Sequence, residues 1–293
     1  MLIYNKDGEV LTSAFSINST PLTVAYNVEG EPIWSNNTEP LKVMSYNVGG
    51  WYIGSGANIP SAYDGLYYAL HRGIIEQNDP DILVIQEYWD IFSKTGRTAL
   101  SMLSEYFPYI EARNGTDSYM GRCICSKYPI SNYTQRSFKN ESIRYYDSCT
   151  ITINDKPITF VNTHFGLTNE KRTEQAKELL AYLKTLDRFI ACGDYNTVEA
   201  LNDTGEDYVS IIQPMLDARF HVANCSTFGF LETYVGDVNK ESAIENGKQI
   251  LCLDNIITSK NIGILSVEVD ETKLTDNINA LVDHLPIMAN LII

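Results

Sequence analysis

The sequence predicts an α/β fold of two mixed β-sheets packed face to face, with helices outside. Three observations predict it. Short apolar runs that read as buried strands alternate with stretches of helical period. Hairpin signals interrupt that alternation, which makes the sheets mixed. Six of the apolar runs end in metal-ligand or acid/base residues, as strands would if they shared one rim.

The first forty residues precede this pattern. They repeat with a period of 11, so that residues 3–11, 14–22 and 25–33 align. Each unit is a β-prone run, a polar turn and a second apolar position, which reads as stacked strands and turns. Three such units bury little surface. Residues 1–40 are therefore expected to be an appendage that mediates self-association or attachment to a larger assembly. Residues 35–40 read as the linker to a domain over 41–293.

Within that domain, residues 41–46 are a strand. Residues 61–77 are a helix, with Ser61 and Asp64 at capping-box spacing and Asn78-Asp79-Pro80 at its end. A continuous apolar strand follows over 82–86, then a helix over 98–107. Strands are expected at 122–126, 148–153 and 158–163, the last two joined by a turn over 154–157. Ala176, Leu179, Leu180, Leu183 and Leu186 mark one face of a third helix. Strands over 189–192, 255–258 and 287–292 complete the set.

Composition narrows the function. A chain of 293 residues suits one large domain with an appendage and a sizeable core. Its net charge of −15 argues against tight non-specific nucleic-acid binding, which needs a basic footprint. A nuclease that relies on a metal and a local patch stays open. The six cysteines are Cys123, Cys125, Cys149, Cys192, Cys225 and Cys252. They show no CxxC zinc spacing and lie mostly in apolar runs, so they read as reduced and buried. The N-terminus lacks a basic start and a long apolar stretch, and no run reaches membrane-spanning length. A cytoplasmic or particle-associated protein is the expectation.

The six motifs, in order, are VMSYN (43–47), ILVIQE (82–87), FVNTH (160–164), IACGDYN (190–196), LDNIITS (253–259) and VDHLP (282–286). Together they deliver Asn, Glu, His, Asp, Asn, Asp, Asp and His to a sheet rim. Oxygen donors of this kind suit Mg²⁺ or Mn²⁺ with a phosphate. A bare carboxylate such as Glu87, directly after five residues of buried strand, is costly unless paired or metal-bound. The two histidines can move or stabilise charge on a phosphoryl oxygen.

With GDYN, DHLP and an upstream IQE in this order, residues 41–293 resemble the endonuclease/exonuclease/phosphatase superfamily. That is the fold of deoxyribonuclease I, abasic-site endonucleases, neutral sphingomyelinases and inositol-phosphate phosphatases. The resemblance implies a four-layer α/β/β/α sandwich and a Mg²⁺-dependent phosphoester hydrolase, with Mn²⁺ as a substitute. It makes Glu87 the principal metal ligand, with Asn47 and Asp283 on the metal or its water. It has Asp194 activate or orient the attacking water and Asn196 hold a phosphate oxygen. His164 stabilises charge, and His284 is a general base or phosphate clamp oriented by Asp254. Two departures stand out. Abasic endonucleases carry an acidic residue where this chain has Gly49. Deoxyribonuclease I pairs its histidine with a glutamate that aligns with Gly121.

Arg144 and Tyr119 are candidates for phosphate contact. Trp51, Trp89 and Phe228, which follow catalytic strand ends, are candidates for a stacking rim. His71 and His221 match nothing and read as packing or surface residues. The first expectation is a deoxyribonuclease I-like phosphodiesterase acting on DNA. The alternatives are a phosphatase or phospholipase C-type enzyme on a small or lipid phosphate, and a non-catalytic binding or structural protein on the same fold.

Overall fold

A computed structural model describes residues 3–4, 10–11, 24–26, 32–35, 39–51, 64–90, 98–113, 121–197, 211–225, 230–234, 252–271 and 283–293. Among the first forty residues, β1 (Ile3–Tyr4) pairs antiparallel with β2 (Val10–Leu11), and β3 (Val24–Tyr26) with β4 (Pro32–Ser35). These two hairpins span residues 3–11 and 24–35. Pairing of β1 with β3 joins them into one sheet. The second repeat unit lies outside the described residues.

The domain begins with β5 (Leu41–Asn47), a short turn at Gly49–Trp51, α1 (Asp64–Asn78) and β6 (Ile82–Tyr88). Next come α2 (Ala99–Leu103), β7 (Tyr109–Arg113), β8 (Gly121–Ser126) and β9 (Ile130–Phe138). A long hairpin of β10 (Glu141–Ile153) and β11 (Lys156–His164) leads to α3 (Asn169–Leu183) and β12 (Phe189–Asp194). The chain closes with α4 (Gln213–Asp217), β13 (His221–Val222), β14 (Asp254–Thr258), β15 (Gly263–Val269) and β16 (Ile287–Ile292).

The strands form two six-stranded sheets, ordered β13-β14-β12-β11-β10-β9 and β15-β16-β5-β6-β8-β7. Each contains one parallel pair, β11 with β12 and β5 with β6. Parallel neighbours need a crossover, and α3 and α1 supply the two crossovers. All other pairings are antiparallel, which makes both sheets mixed.

Alternation along the strands sorts side chains into three apolar layers. Val43, Val84, Ile124, Cys149, Phe160 and Ile190 meet between the sheets. Met44, Leu83, Ile85 and Cys123 turn outward onto Leu70 and Ile74 of α1 and Met102 of α2. Val161, Phe189 and Ile257 turn outward onto Ala176, Leu179 and Leu183 of α3 and Met215 of α4. The result is the expected α/β/β/α sandwich. All six cysteines are buried thiols, and Cys123 and Cys125 share one face of β8 with their sulfurs 3.4 Å apart. Among the described residues no helix is long and apolar enough to cross a membrane.

Several boundaries move. The helix expected over 98–107 ends at Leu103, and turns carry the chain to Phe107. Its start holds, because Thr98 and Ser101 cap it reciprocally. The turn expected over 154–157 is tighter: Asn154 and Asp155 take φ of 51° and 61°, and Lys156 and Pro157 already pair in β11. Two left-handed residues are what a two-residue hairpin between right-twisted strands requires. Strand β10 begins at Glu141 rather than near Ser148. Its polar first half is held by pairing with β9, which the sequence pattern did not mark. Strands β7, β13 and β15 also lacked a clear pattern.

His71 does pack inside. Its Nδ1 accepts from the Tyr46 hydroxyl at 3.0 Å, and Nε2 donates to the Trp51 carbonyl at 3.3 Å. Burial lowers its pKa to about 4. The unfolded imidazole, at about 6.5, takes up a proton before the folded one does, so stability falls as pH drops through that window. The full loss is about 3 kcal/mol. In urea titrations between pH 7 and 4.5, His71→Gln is expected to show a flatter fall than the wild type. Equal slopes would mean that the folded imidazole titrates freely.

Candidate active site

The parallel pairs explain why the motifs converge. Asn47 ends β5, His164 ends β11, Asp194 ends β12, and Glu87 is the next-to-last residue of β6. Strand β14 runs antiparallel to β12, so its first residue, Asp254, pairs with Asp194. Strand β16 runs antiparallel to β5, which brings Asp283 and His284, just before it, to the same end. A β-bridge to Tyr234 fixes His284 there.

Asp194 is the hub. Its Oδ1 accepts from the backbone N–H of Asn196 at 2.8 Å, and its Oδ2 from the Asn47 side-chain amide at 2.9 Å. Oδ2 also lies 3.3 Å from His164 Nε2 and 3.7 Å from His284 Nε2. Asn196 holds a left-handed backbone, with φ of 48°. Its amide donates to the Phe165 carbonyl at 2.8 Å, and its own carbonyl accepts from Arg172. These bonds fix both the turn and the carboxylate it serves.

The two histidines sit in opposite charge states. His284 donates from Nδ1 to Asp254 at 2.8 Å. Burial pulls its pKa down, but Asp254, Asp194 and Asp283 outweigh burial and hold it at about 10. It is an imidazolium at neutral pH. Burial also lowers His164, and Arg144, Arg122 and the charged His284 lower it further. His164 is therefore neutral. The carboxylates facing its Nε2, Asp194 and Glu87 (3.8 Å), place its proton there. Its Nδ1 is buried with no hydrogen-bond partner among the described residues. A side-chain partner cannot come from position 121, where a Cβ would lie 1.9 Å from the Tyr88 carbonyl oxygen.

The donor set fits a divalent cation. Burial raises Glu87 to about 7; Asp194 and Asp283 push the same way, against His284 and Arg144. Asp283 Oδ1 is buried without a partner among the described residues. Crowded, under-satisfied carboxylates call for a hard cation. Asp194, Asp254 and His284 also bring ligand atoms within 4.8 Å of one another. Asp254 and His284 are already bonded to each other at 2.8 Å, so Glu87 and Asp283 are the better donors. Asn47 Oδ1 accepts from Gly49 N–H at 3.0 Å and keeps a second lone pair for ligation. Gly49 has φ of 54°, and a Cβ on it would lie 3.2 Å from Asp283 Oδ1. A side chain there would press on Asp283 from a left-handed backbone.

Arg144 is 5% exposed, and its Nε and Nη1 have no partner among the described residues. Burial lowers its pKa, while Asp194 and Glu87 raise it. A desolvated guanidinium with donors to spare, beside these carboxylates, suits a phosphate oxygen. Trp51 requires a correction. It is fully buried rather than on a rim, because its indole N–H donates to the Trp89 carbonyl at 2.7 Å and its ring packs edge-on to His71 and Tyr88. Trp89 is half-buried just after β6. Tyr119 and Phe228 lie outside the described residues. Two residues of the site were not foreseen. Arg172 binds the Asn196 carbonyl from the first turns of α3, and Tyr234 sets its ring edge-on to His284 at 5.0 Å. Neither belongs to a motif, and only the fold brings them here.

The family model for the Endonuclease/Exonuclease/phosphatase family matches residues 44–276. Among curated proteins, no sequence matches this chain. Several solved structures share the fold. An AP endonuclease from Archaeoglobus fulgidus is 20% identical with a TM-score of 0.60, covering 86% of this chain and 100% of its own. A mannosyl-6-phosphatase from Bacteroides thetaiotaomicron is 16% identical with a TM-score of 0.61, over 86% of this chain and 100% of its own. D. rerio TDP2 in complex with a single-strand DNA product is 14% identical with a TM-score of 0.59, over 87% of this chain and 99% of its own.

Proposed function

Since the chain belongs to the Endonuclease/Exonuclease/phosphatase family of metal-dependent phosphoester hydrolases, we propose that it is a Mg²⁺-dependent phosphodiesterase acting on DNA. One observation carries the reading: His164 and His284 lie 3.3 Å and 3.7 Å from Asp194 Oδ2, with the buried Arg144 and further carboxylates beside them. A phosphodiester is an anion that gains charge as it is attacked, and fixed donors in a dry site stabilise that charge.

Glu87 and Asp283 would hold Mg²⁺ or Mn²⁺, with Asn47 adding an amide oxygen. When bound there, the cation would supply Lewis-acid polarisation of a phosphoryl oxygen. Asp194, oriented by Asn47 and Asn196, aligns the attacking water and takes its proton. His284, locked by Asp254, donates from Nε2 to the phosphoryl group. His164, whose Nε2 lies 3.3 Å from the same Asp194 oxygen, donates as well. Arg144 binds a non-bridging oxygen.

DNA is favoured by likeness to TDP2, which binds a single-strand DNA product. The net charge of −15 favours the second reading, a phosphatase of a small or lipid phosphate, since it works against a long polyanion. A panel of plasmid DNA, RNA, sphingomyelin, inositol phosphates and a generic phosphodiester, each with Mg²⁺, Mn²⁺ or EDTA, separates the two. Nicking of plasmid that EDTA abolishes is the expected result. Release of phosphate from a monoester with DNA left intact would reverse the order.

A further inference from the structure

Glu87 faces the site against the alternation of its own strand. Ile82, Val84 and Gln86 point between the sheets, where Gln86 donates to Asn162 at 2.9 Å, whereas Leu83 and Ile85 point outward onto the helices. Regular pleating would send residue 87 into that outer apolar layer. Instead Tyr88 takes the outer position, and Glu87 turns inward to lie 3.8 Å from His164. The cause is a β-bulge. Gln86 pairs with Arg122 and Tyr88 with Gly121, so Glu87 has no opposite residue, and its φ is 54°. Bulges of this kind re-aim a side chain at a cost in backbone strain.

The bulge brings main chain into the space above residue 121. A Cβ there would lie 1.9 Å from the Tyr88 carbonyl oxygen and 2.7 Å from that of Arg113. Both obstacles are backbone atoms, so no side chain can swing aside to make room. The demand for glycine is one of space. We propose that Gly121 is the positioning residue for Glu87: with no side chain of its own, it permits the bulge that aims this carboxylate at the cation. The inference rests on Glu87 being a metal ligand.

The test is Mn²⁺ binding by the full chain, measured by calorimetry without substrate. Gly121→Ala is expected to bind Mn²⁺ at least 10-fold more weakly than wild type, approaching Glu87→Gln. The double variant should bind no more weakly than Glu87→Gln alone, because both changes act through one ligand. Gly73→Ala, in α1 with open space around the glycine, should bind as wild type. Unchanged affinity in Gly121→Ala, or a loss that persists in full on the Glu87→Gln background, overturns the proposal. Should Gly121→Ala not fold, the melting order of two other variants decides. Only a left-handed residue 87 prefers glycine, so Glu87→Gly should melt above Glu87→Ala, and the reverse order rejects the bulge. Equal Mn²⁺ affinity in wild type and Glu87→Gln rejects the metal reading itself, while the melting order still reports on the bulge.

Discussion

Replacing His284 by glutamine is expected to lower turnover by roughly 10²- to 10⁴-fold. The imidazolium is held by Asp254 at 2.8 Å and aimed at the Asp194 oxygen 3.7 Å away, so a phosphoryl group placed there meets a charged donor. Glutamine can still donate to Asp254 but brings no charge. Alanine is a poorer probe. It would leave the Asp254 carboxylate buried and alone, and breaking such a pair costs about 3–5 kcal/mol. Asp254→Asn should give a milder lesion, since it loosens the imidazole without removing it. His164→Gln combined with His284→Gln should lose less than the product of the single losses, because both act on one transition state. The measurement is kcat/KM on the best substrate of the panel, with thermal unfolding as the control for folding. Near-normal turnover in His284→Gln would remove His284 from the mechanism drawn here.

The second large effect belongs to Glu87. Glu87→Gln keeps the shape of the side chain and removes one anionic donor, so turnover at limiting Mg²⁺ should fall by orders of magnitude. Excess Mg²⁺ should recover part of it, because Asp283 and Asn47 remain. The same change relieves crowding, since burial raises Glu87 to about 7 and Asp194 and Asp283 add to the repulsion. In EDTA the variant should therefore melt at or above the wild type. A ligand that costs stability until its cation binds is a common feature of functional sites. Unchanged turnover at limiting Mg²⁺ would remove Glu87 from the metal site.

The sequence by itself determined the fold class and picked out the residues that the structure gathers at one sheet rim. Buried strands such as 82–86 and 189–192 are continuous apolar runs, and the residues that end them stand out because carboxylates, amides and imidazoles are costly at such positions without a task. That local cost is legible in one dimension. So is the helix face of α3, which depends on neighbours three and four residues apart. Trp51 shows where local reading stops: an aromatic after a strand end looks the same whether it lines a cleft or fills the core, and packing on His71 and Tyr88 decides. Tertiary structure also decided which way Glu87 points, because the bulge depends on a glycine on a different strand. It separated the charges of His164 and His284, since each pKa reflects carboxylates and guanidiniums from distant strands brought within a few ångströms. It brought Arg172 and Tyr234 into the site through α3 and a single β-bridge. Strand-end chemistry is a property of neighbours in sequence, whereas side-chain direction and charge state are properties of neighbours in space.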